Sequence, residues 1–323
     1  MVERILAVQA QDARGARLAI RSRLKKAARG AGVSAVDHAI SEERSLVVSW
    51  FNRGTLHLVG ADDYFWLHEL TVPRLATTNA TRLRQEGVSE KNAEKGVAAI
   101  VRTLADEGPV LRDRLREAVA GAGVPVAGQA LVHLLLLASI RNLVMRGPVM
   151  GREQAFVLVE DWLGPAPEVD PEKSLGELAR RYLAGHAPAT DRDLAKWAGI
   201  PLGQARSGLK AIASEVDEGA DGLLRLKDRG RPARTKPTRL LGSFDPVLHG
   251  WASRDFLIPS ESVRKVVTTN GIFRPTMMVE GEVKGVWTLP ARSVELNPFA
   301  PVGAKEIAAL ERDGKDVVRY LAG

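Results

Sequence analysis

The spacing of apolar positions changes between two periods along the chain. Apolar residues recur at helical spacing over residues 12–28, and Ser34 is placed to cap a short helix through Ile40. Residues 45–51 and 55–59 are instead rich in β-branched and aromatic residues, and an Asn-Arg-Gly turn separates them. Helical periodicity followed by two β-type segments around a turn predicts helices leading into a β-hairpin.

The same order recurs twice more before the chain changes character. Three helices and a second hairpin are predicted over residues 89–104, 110–120, 128–143, 144–150 and 155–159, and three helices and a strand over 175–183, 191–197, 202–215 and 223–227. The last part predicts a small antiparallel sheet and a closing helix, over residues 272–279, 283–289, 293–296 and 302–321. Short helices that bury a small core, followed by a hairpin, are typical of the winged helix-turn-helix.

We therefore predict a mainly α protein with β-hairpins, of the α+β class, built from three tandem winged-helix modules plus a C-terminal β segment and helix. The proline-rich segment from Gly164 to Pro171 is the best linker candidate. The predicted domains are residues 1–85, 86–165, 172–238 and 239–323. Winged helices serve as DNA-binding and as protein–protein modules, and the pattern alone leaves both open.

Composition narrows the classes of site. The 323 residues include no cysteine, which excludes disulfides, thiolate zinc sites, iron–sulfur clusters and thiol nucleophiles. The six histidines show no metal-ligand spacing, so neither a metal nor a cofactor is expected. No apolar run is long enough to span a membrane, and the start of the chain lacks the features of a signal peptide. These features fit a protein of the cytoplasm.

The charge balance favours a polyanionic partner. Lys and Arg number 46 against 39 Asp and Glu, a net charge of +7. Residues 225–239 carry seven of the basic residues against one acid, Asp228, and prolines keep this stretch extended. This basic stretch is either a wing that contacts DNA phosphates or a solvated basic loop, and the sequence leaves both interpretations open. The candidate DNA contacts in it are Lys227, Arg229, Arg231 and Arg234.

Four further residues carry candidate chemistry. Gln9 and Gln11 point the same way if the segment is extended, and their amides could hold one water molecule, although a surface or capping role is the ordinary one. His57 alternates with two leucines on a hairpin strand, so it could contact DNA or be a buried structural histidine. Asp245 could act as a carboxylate, but an aspartate before a proline more often organises a turn.

Four motifs, taken in their order along the chain, also resemble those of a known protein family. The motifs are Gln9-Ala10-Gln11-Asp12, residues 50–59 (WFNRGTLHLV), residues 241–250 (LGSFDPVLHG) and residues 270–276 (NGIFRPT). Together they resemble the bacterial AlkZ-like DNA glycosylases over nearly the whole chain. Members of this family have tandem winged helices, excise bulky N7-alkylated purines and unhook interstrand crosslinks.

The resemblance carries over to particular residues. It implies that Gln9 and Gln11 are the catalytic pair, and the second glutamine distinguishes this chain from a sister branch with Asp in that place. The hairpin residues Arg53 and His57 become candidate DNA contacts. Family members usually carry a further helix before the motif, whereas residues 1–8 precede Gln9 here.

The resulting hypothesis is a DNA repair enzyme that hydrolyses the N-glycosidic bond of N7-alkylated purines, including those in interstrand crosslinks. No lysine lies at the motif to form a Schiff base, so a monofunctional glycosylase without strand cleavage is expected. Its partner is alkylated or crosslinked double-stranded DNA, and we expect a cytoplasmic, nucleoid-associated monomer. The alternative is a non-catalytic winged-helix DNA-binding protein, either a transcriptional regulator or a damage binder.

Overall fold

The computed structural model describes residues 1–25, 30–228 and 238–323. In these ranges, helices outnumber strands. The helices are α1 (Val2–Ile5), α2 (Ala13–Arg23), α3 (Ser34–Ser41), α4 (Tyr64–Thr71), α5 (Ala76–Gln85), α6 (Glu90–Glu107), α7 (Arg112–Gly121), α8 (Ala130–Ile140), α9 (Val159–Leu163), α10 (Pro171–His186), α11 (Asp191–Ala198), α12 (Leu202–Ala211), α13 (Val263–Val266) and α14 (Ala304–Ala322). Among these described helices, none is both long and apolar enough to cross a membrane.

The strands lie mainly between and after the helices. They are β1 (Val8–Gln9), β2 (Leu46–Phe51), β3 (Thr55–Gly60), β4 (Val144–Met150), β5 (Glu153–Leu158), β6 (Val216–Glu218), β7 (Leu224–Leu226), β8 (Arg239–Leu241), β9 (Thr276–Val279), β10 (Glu282–Thr288) and β11 (Glu295–Pro298). Strands β2 and β3, β4 and β5, and β6 and β7 are antiparallel hairpins. The mixed α+β class with antiparallel strands predicted from the sequence is therefore confirmed.

The chain folds into two compact units. The first contains Met1–Val36, Gly176–Trp197 and Pro201–Gly323, and the second contains Asp37–Leu175 and Ala198–Ile200. Their bounds differ from the predicted four-domain division, and one of them falls inside α3. The four domains, and the three winged-helix modules within them, stay predictions.

The second unit contains helices α6, α7 and α8 and the hairpin of β4 and β5. The side chain of Ser89 caps α6 by accepting a hydrogen bond from Asn92 N at 3.2 Å, as its position before the helix suggests. Leu104, Leu115, Leu134 and Phe156 are 0–1% exposed in one apolar core. Strands β2 to β5 form an antiparallel sheet in the order β3-β2-β4-β5.

The first unit joins both ends of the sequence. Strands β8 to β11 form an antiparallel sheet in the order β11-β10-β9-β8. Leu18 of α2, Leu240 of β8 and Val317 of α14 are buried in one core with Trp287 of β10. Apolar burial in this core therefore fixes α2 against C-terminal elements that are far from it in the sequence.

Several predicted bounds need correction. Helix α2 ends at Arg23, because Leu24 is extended, whereas the prediction ran to residue 28 and its last part lies outside the described residues. The helix predicted over residues 202–215 ends at Ala211, and a short 3₁₀ turn follows it. The strand predicted from residue 272 begins at Thr276, directly after a proline that has no N–H to donate to a sheet. Arg239, predicted in the basic wing, is the first residue of β8.

Candidate functional site

The glutamine pair lies at the start of the first unit, immediately before α2. Gln9 is the last residue of β1, and Asp12 caps α2 by accepting a hydrogen bond from Gly15 N at 2.9 Å. Gln9 is 6% exposed and Gln11 is exposed, so their side chains lie in different surroundings, unlike the shared orientation expected from an extended segment. The strand ends at Gln9, and the backbone turns into the helix after it.

The amide of Gln9 has capacity for a further hydrogen bond. Its Oε1 atom is buried and accepts no hydrogen bond from the described residues. A buried carbonyl oxygen without a donor costs free energy, about 1–3 kcal/mol. Gln9 Oε1 therefore has unused capacity to accept a hydrogen bond, in a buried position.

Helix α2 holds the motif in place through its opposite end. Arg21 is completely buried, and its guanidinium forms ion pairs of 2.8 Å with both Asp313 and Asp316 of α14. It also donates to the carbonyl oxygen of Leu240 at 3.3 Å. The pKa of Arg21 is raised because the bonds and charges of the two aspartates outweigh burial, which lowers it. Arg21 therefore stays charged and links α2 to α14.

The segment after β8 runs close along α2. A Cβ atom added at Gly15 would lie 2.3 Å from the carbonyl oxygen of Ser243. Only glycine therefore allows the Ser243 backbone to lie this close to α2. Two residues later, Asp245 is completely buried and pairs with Arg23 through bonds of 2.7 and 2.9 Å. Asp245 also accepts a bond from Val247 N at 3.0 Å and caps a 3₁₀ turn. The turn-forming interpretation of Asp245 is therefore confirmed.

A cavity of about 210 Å³ lies at the first turn of α2, in the first unit. Asp12, which directly follows Gln11, is part of its wall. No local sequence pattern indicates this cavity, because its lining combines residues of the first turns of α2 with residues that lie far away in the C-terminal part of the sequence. Its lining residues are Asp12, Arg14, Gly15, Leu18, Ser243, Pro275, Trp287, Thr288 and Leu289.

His57 and Arg53 belong to the hairpin of the second unit and have opposite exposure. Arg53 is exposed in the turn between β2 and β3, where Asn52 and Gly54 both have positive φ. His57 is 3% exposed, and its Nδ1 lies 2.8 Å from the Thr55 carbonyl oxygen. Burial, followed by the charge of Arg53, lowers the pKa of His57 to about 3, although the Thr55 bond opposes this shift. His57 is therefore neutral at pH 7, which fits the buried alternative; its predicted DNA contact stays a prediction.

The predicted basic wing is described in part. Lys227 is exposed directly after the hairpin of β6 and β7, and its Nζ donates to the Ser214 carbonyl oxygen at 2.7 Å. Arg229, Arg231 and Arg234 lie outside the described residues. Arg239 is not part of a wing, because its guanidinium donates to the carbonyl oxygen of Ser22 within the first unit.

The comparisons with known proteins agree with the motifs. The model of the AlkZ-like family, described as DNA glycosylase AlkZ-like, matches residues 2–320. The chain belongs to the AlkZ-like family of DNA glycosylases. The resemblance predicted from the four motifs is thus confirmed, and membership of the AlkZ-like family supports a hydrolase that acts on DNA in repair.

A solved structure adds evidence on the fold. The DNA glycosylase AlkZ of Streptomyces sahachiroi is similar with a TM-score of 0.78 over 99% of this chain and 90% of that chain, at 22% sequence identity. At this identity the likeness establishes the fold. The search of curated proteins found no significant match.

Proposed function

We propose that this protein is a monofunctional DNA glycosylase that hydrolyses the N-glycosidic bond of N7-alkylated purines in double-stranded DNA, including those joined in interstrand crosslinks. The observation that carries the proposal is the Gln9-Ala10-Gln11 sequence in an AlkZ-like chain, with a buried Gln9 amide oxygen that has no donor among the described residues. Gln9 and Gln11 are the proposed catalytic residues.

The chemistry of the lesion explains why amides suffice. Alkylation at N7 makes the purine cationic, so the base leaves as a neutral group and needs little help from a general acid. The sugar develops positive charge in the transition state, and the enzyme mainly has to position a water molecule at C1′. An amide oxygen can accept a hydrogen bond from that water but is a poor base. Two glutamines therefore suit weak glycosidic bonds and leave undamaged purines intact.

The proposed reaction ends at base release. A glycosylase that also cleaves the strand forms a Schiff base through an amine, usually that of a lysine. The first lysine of the chain is Lys25, after the end of α2, and residues 1–24 contain none. The expected products are the free base and an intact strand with an abasic site.

Basic side chains outside the motif supply the proposed DNA affinity. Arg53 and Lys227 are exposed and can contact phosphates, which position DNA without reading its sequence. Arg229, Arg231 and Arg234 are proposed to extend this contact along the backbone. A crosslinked base cannot leave the helix freely, so we propose that the lesion is bound in an open basic channel rather than a closed base pocket. The enzyme is proposed to act as a monomer on nucleoid DNA in the cytoplasm.

Single-turnover release of 7-methylguanine from methylated duplex DNA tests the proposal. Gln9→Ala and Gln11→Ala are expected to lower the rate roughly 10- to 1,000-fold, as for the loss of a water-positioning hydrogen bond. Gln11→Asp should retain activity, since a carboxylate also holds water and favours a cationic sugar. DNA affinity should change little, because both glutamines are neutral.

The matched control is Gln129→Ala, which truncates an exposed glutamine outside the motif. It should release base at the wild-type rate. Equal rates for wild type and both motif variants would show that the glutamines are structural. A wild type that binds DNA but releases no base would instead support a non-catalytic DNA-binding protein.

A further inference from the structure

The cavity at the first turn of α2 has an apolar floor. Leu18 and Trp287 are each 2% exposed, and Pro275 and Leu289 complete the apolar lining. The indole Nε1 of Trp287 already donates to the Leu241 carbonyl oxygen at 2.8 Å. Trp287 therefore presents apolar surface to the cavity, and a ligand there would gain contact with aromatic and aliphatic carbon.

The rim of the cavity is polar and carries one acid. Asp12 is half-buried, and Gly15 N occupies its Oδ1, so the carboxylate is held in a fixed direction. Thr288 and Arg14 are exposed at the rim, and Ser243 is half-buried. The rim therefore places one carboxylate and one guanidinium above an apolar floor, so carbon surface is the feature of a ligand that the cavity favours.

The volume limits what the cavity can hold. At about 210 Å³ it is smaller than the roughly 300–1,000 Å³ of pockets for drug-sized ligands. It is nevertheless several times the roughly 30 Å³ that a water molecule occupies in the liquid. It therefore matches one ring or a short branched chain better than a complete nucleoside.

We propose that this cavity binds the apolar arm attached to N7 of a bulky alkylated purine. The cavity wall begins one residue after Gln11, so a lesion at the motif would bring its N7 substituent to this wall. The cationic purine that carries the arm is also the charge that Asp12 would face. This inference rests on the proposed function, since it assigns the substituent specificity of the same site.

Thr288→Trp tests the assignment by placing a bulky side chain at the rim of the cavity. Thr288 is exposed at the end of β10, where a bulky aromatic residue suits a strand. Single-turnover release is measured from two duplexes, one with 7-methylguanine and one with 7-benzylguanine. Thr288→Trp is expected to lower the ratio of the benzyl rate to the methyl rate roughly 10-fold or more, as for steric exclusion from a fitted pocket.

Two further variants make the result interpretable. Thr269→Trp places the same side chain at an exposed threonine outside the cavity lining and should keep the wild-type ratio. Thr288→Arg fills the cavity with a different long side chain and should lower the ratio as Thr288→Trp does. Circular dichroism confirms that each variant is folded before rates are compared.

The outcomes separate this inference from the proposed function. If the wild type releases neither base, the proposed function fails. If the wild type releases both bases and the Thr288 variants keep the wild-type ratio, including the case in which both rates fall equally, the cavity does not bind the arm. A lowered ratio in both Thr288 variants with an unchanged ratio in Thr269→Trp supports the assignment.

Discussion

Replacing Arg21 with methionine should destabilise the first unit strongly. Its guanidinium donates to Asp313 Oδ2 and to Asp316 Oδ2, each at 2.8 Å, and the two acidic side chains are 13% and 10% exposed. Methionine fills similar space but leaves the half-buried Asp313 without its cation, with only the hydrogen bond from Leu240 N remaining. Breaking a buried ion pair in this way costs about 3–5 kcal/mol. Arg319 still contacts Asp316, so we expect a value near the lower end, about 3 kcal/mol.

Urea denaturation at pH 7, followed by circular dichroism, measures the change, and hydrogen exchange in α14 locates it. Arg14→Met is the matched control, because Arg14 is an exposed arginine of the same helix and should change stability by less than about 0.5 kcal/mol. Replacing Arg21, Asp313 and Asp316 together with apolar residues should recover much of the loss, since no buried charge then remains. An Arg21→Met protein as stable as the control would refute the argument.

Three further predictions concern titration, packing and salt. The pKa of His57 is lowered from 6.5 to about 3, so its contribution to stability is complete above pH 6.5 and is lost progressively as the pH falls from 6.5 through 3. At pH 5 the loss is about 2 kcal/mol, and His57→Gln should reduce the difference in stability between pH 7 and pH 5 by that amount in urea titrations. A remaining dependence is expected from His186, whose pKa burial lowers to about 4. Gly15→Ala should cost about 1–3 kcal/mol in the same assay, because its Cβ would lie 2.3 Å from the Ser243 carbonyl oxygen, whereas Gly203→Ala, with open space around it, should be neutral or stabilising. The affinity for duplex DNA should fall steeply as the salt concentration rises. Neutralising Lys227, Arg229, Arg231 and Arg234 together should reduce the slope of log K against log salt by about one for each phosphate contact that is lost. An affinity independent of salt would contradict the electrostatic argument.

Local patterns predicted most of the helices and the first two hairpins. Ser89 caps α6 where its spacing indicated, and β2 and β3 pair around the predicted turn. Helix α5 was missed, because Thr and Asn supply four of its first six residues and have low helix propensity. It is held instead by tertiary contacts: Asn79 donates to the His133 carbonyl oxygen at 3.0 Å, and its Oδ1 lies 2.9 Å from the His133 ring. No window of sequence around α5 contains that partner.

The sequence predicted which residues form the candidate site but not how buried or exposed each of them is. The motif pointed to Gln9 and Gln11, yet nothing in the spacing indicated that one would be buried and the other exposed. The basic run was likewise visible, but the assignment of Arg239 to it was wrong, because Arg239 lies in β8 and pairs with Met278 of β9, far along the chain. Pairing between strands that are far apart in sequence depends on the whole fold, and local periodicity does not predict which strands pair.

The buried bond between Arg21 and α14 has a consequence for how the protein is made. The second unit is nearly continuous in sequence, so a ribosome has released most of it long before translation ends. The glutamine pair is synthesised long before α14, so the helix behind it acquires its partner Asp316 only after α14 has been made. A nascent or prematurely terminated polypeptide would therefore carry the motif without the anchor that orients it. The proposed activity is in this way tied to translation of α14, and a stop codon before α14 should abolish the proposed site that precedes α2.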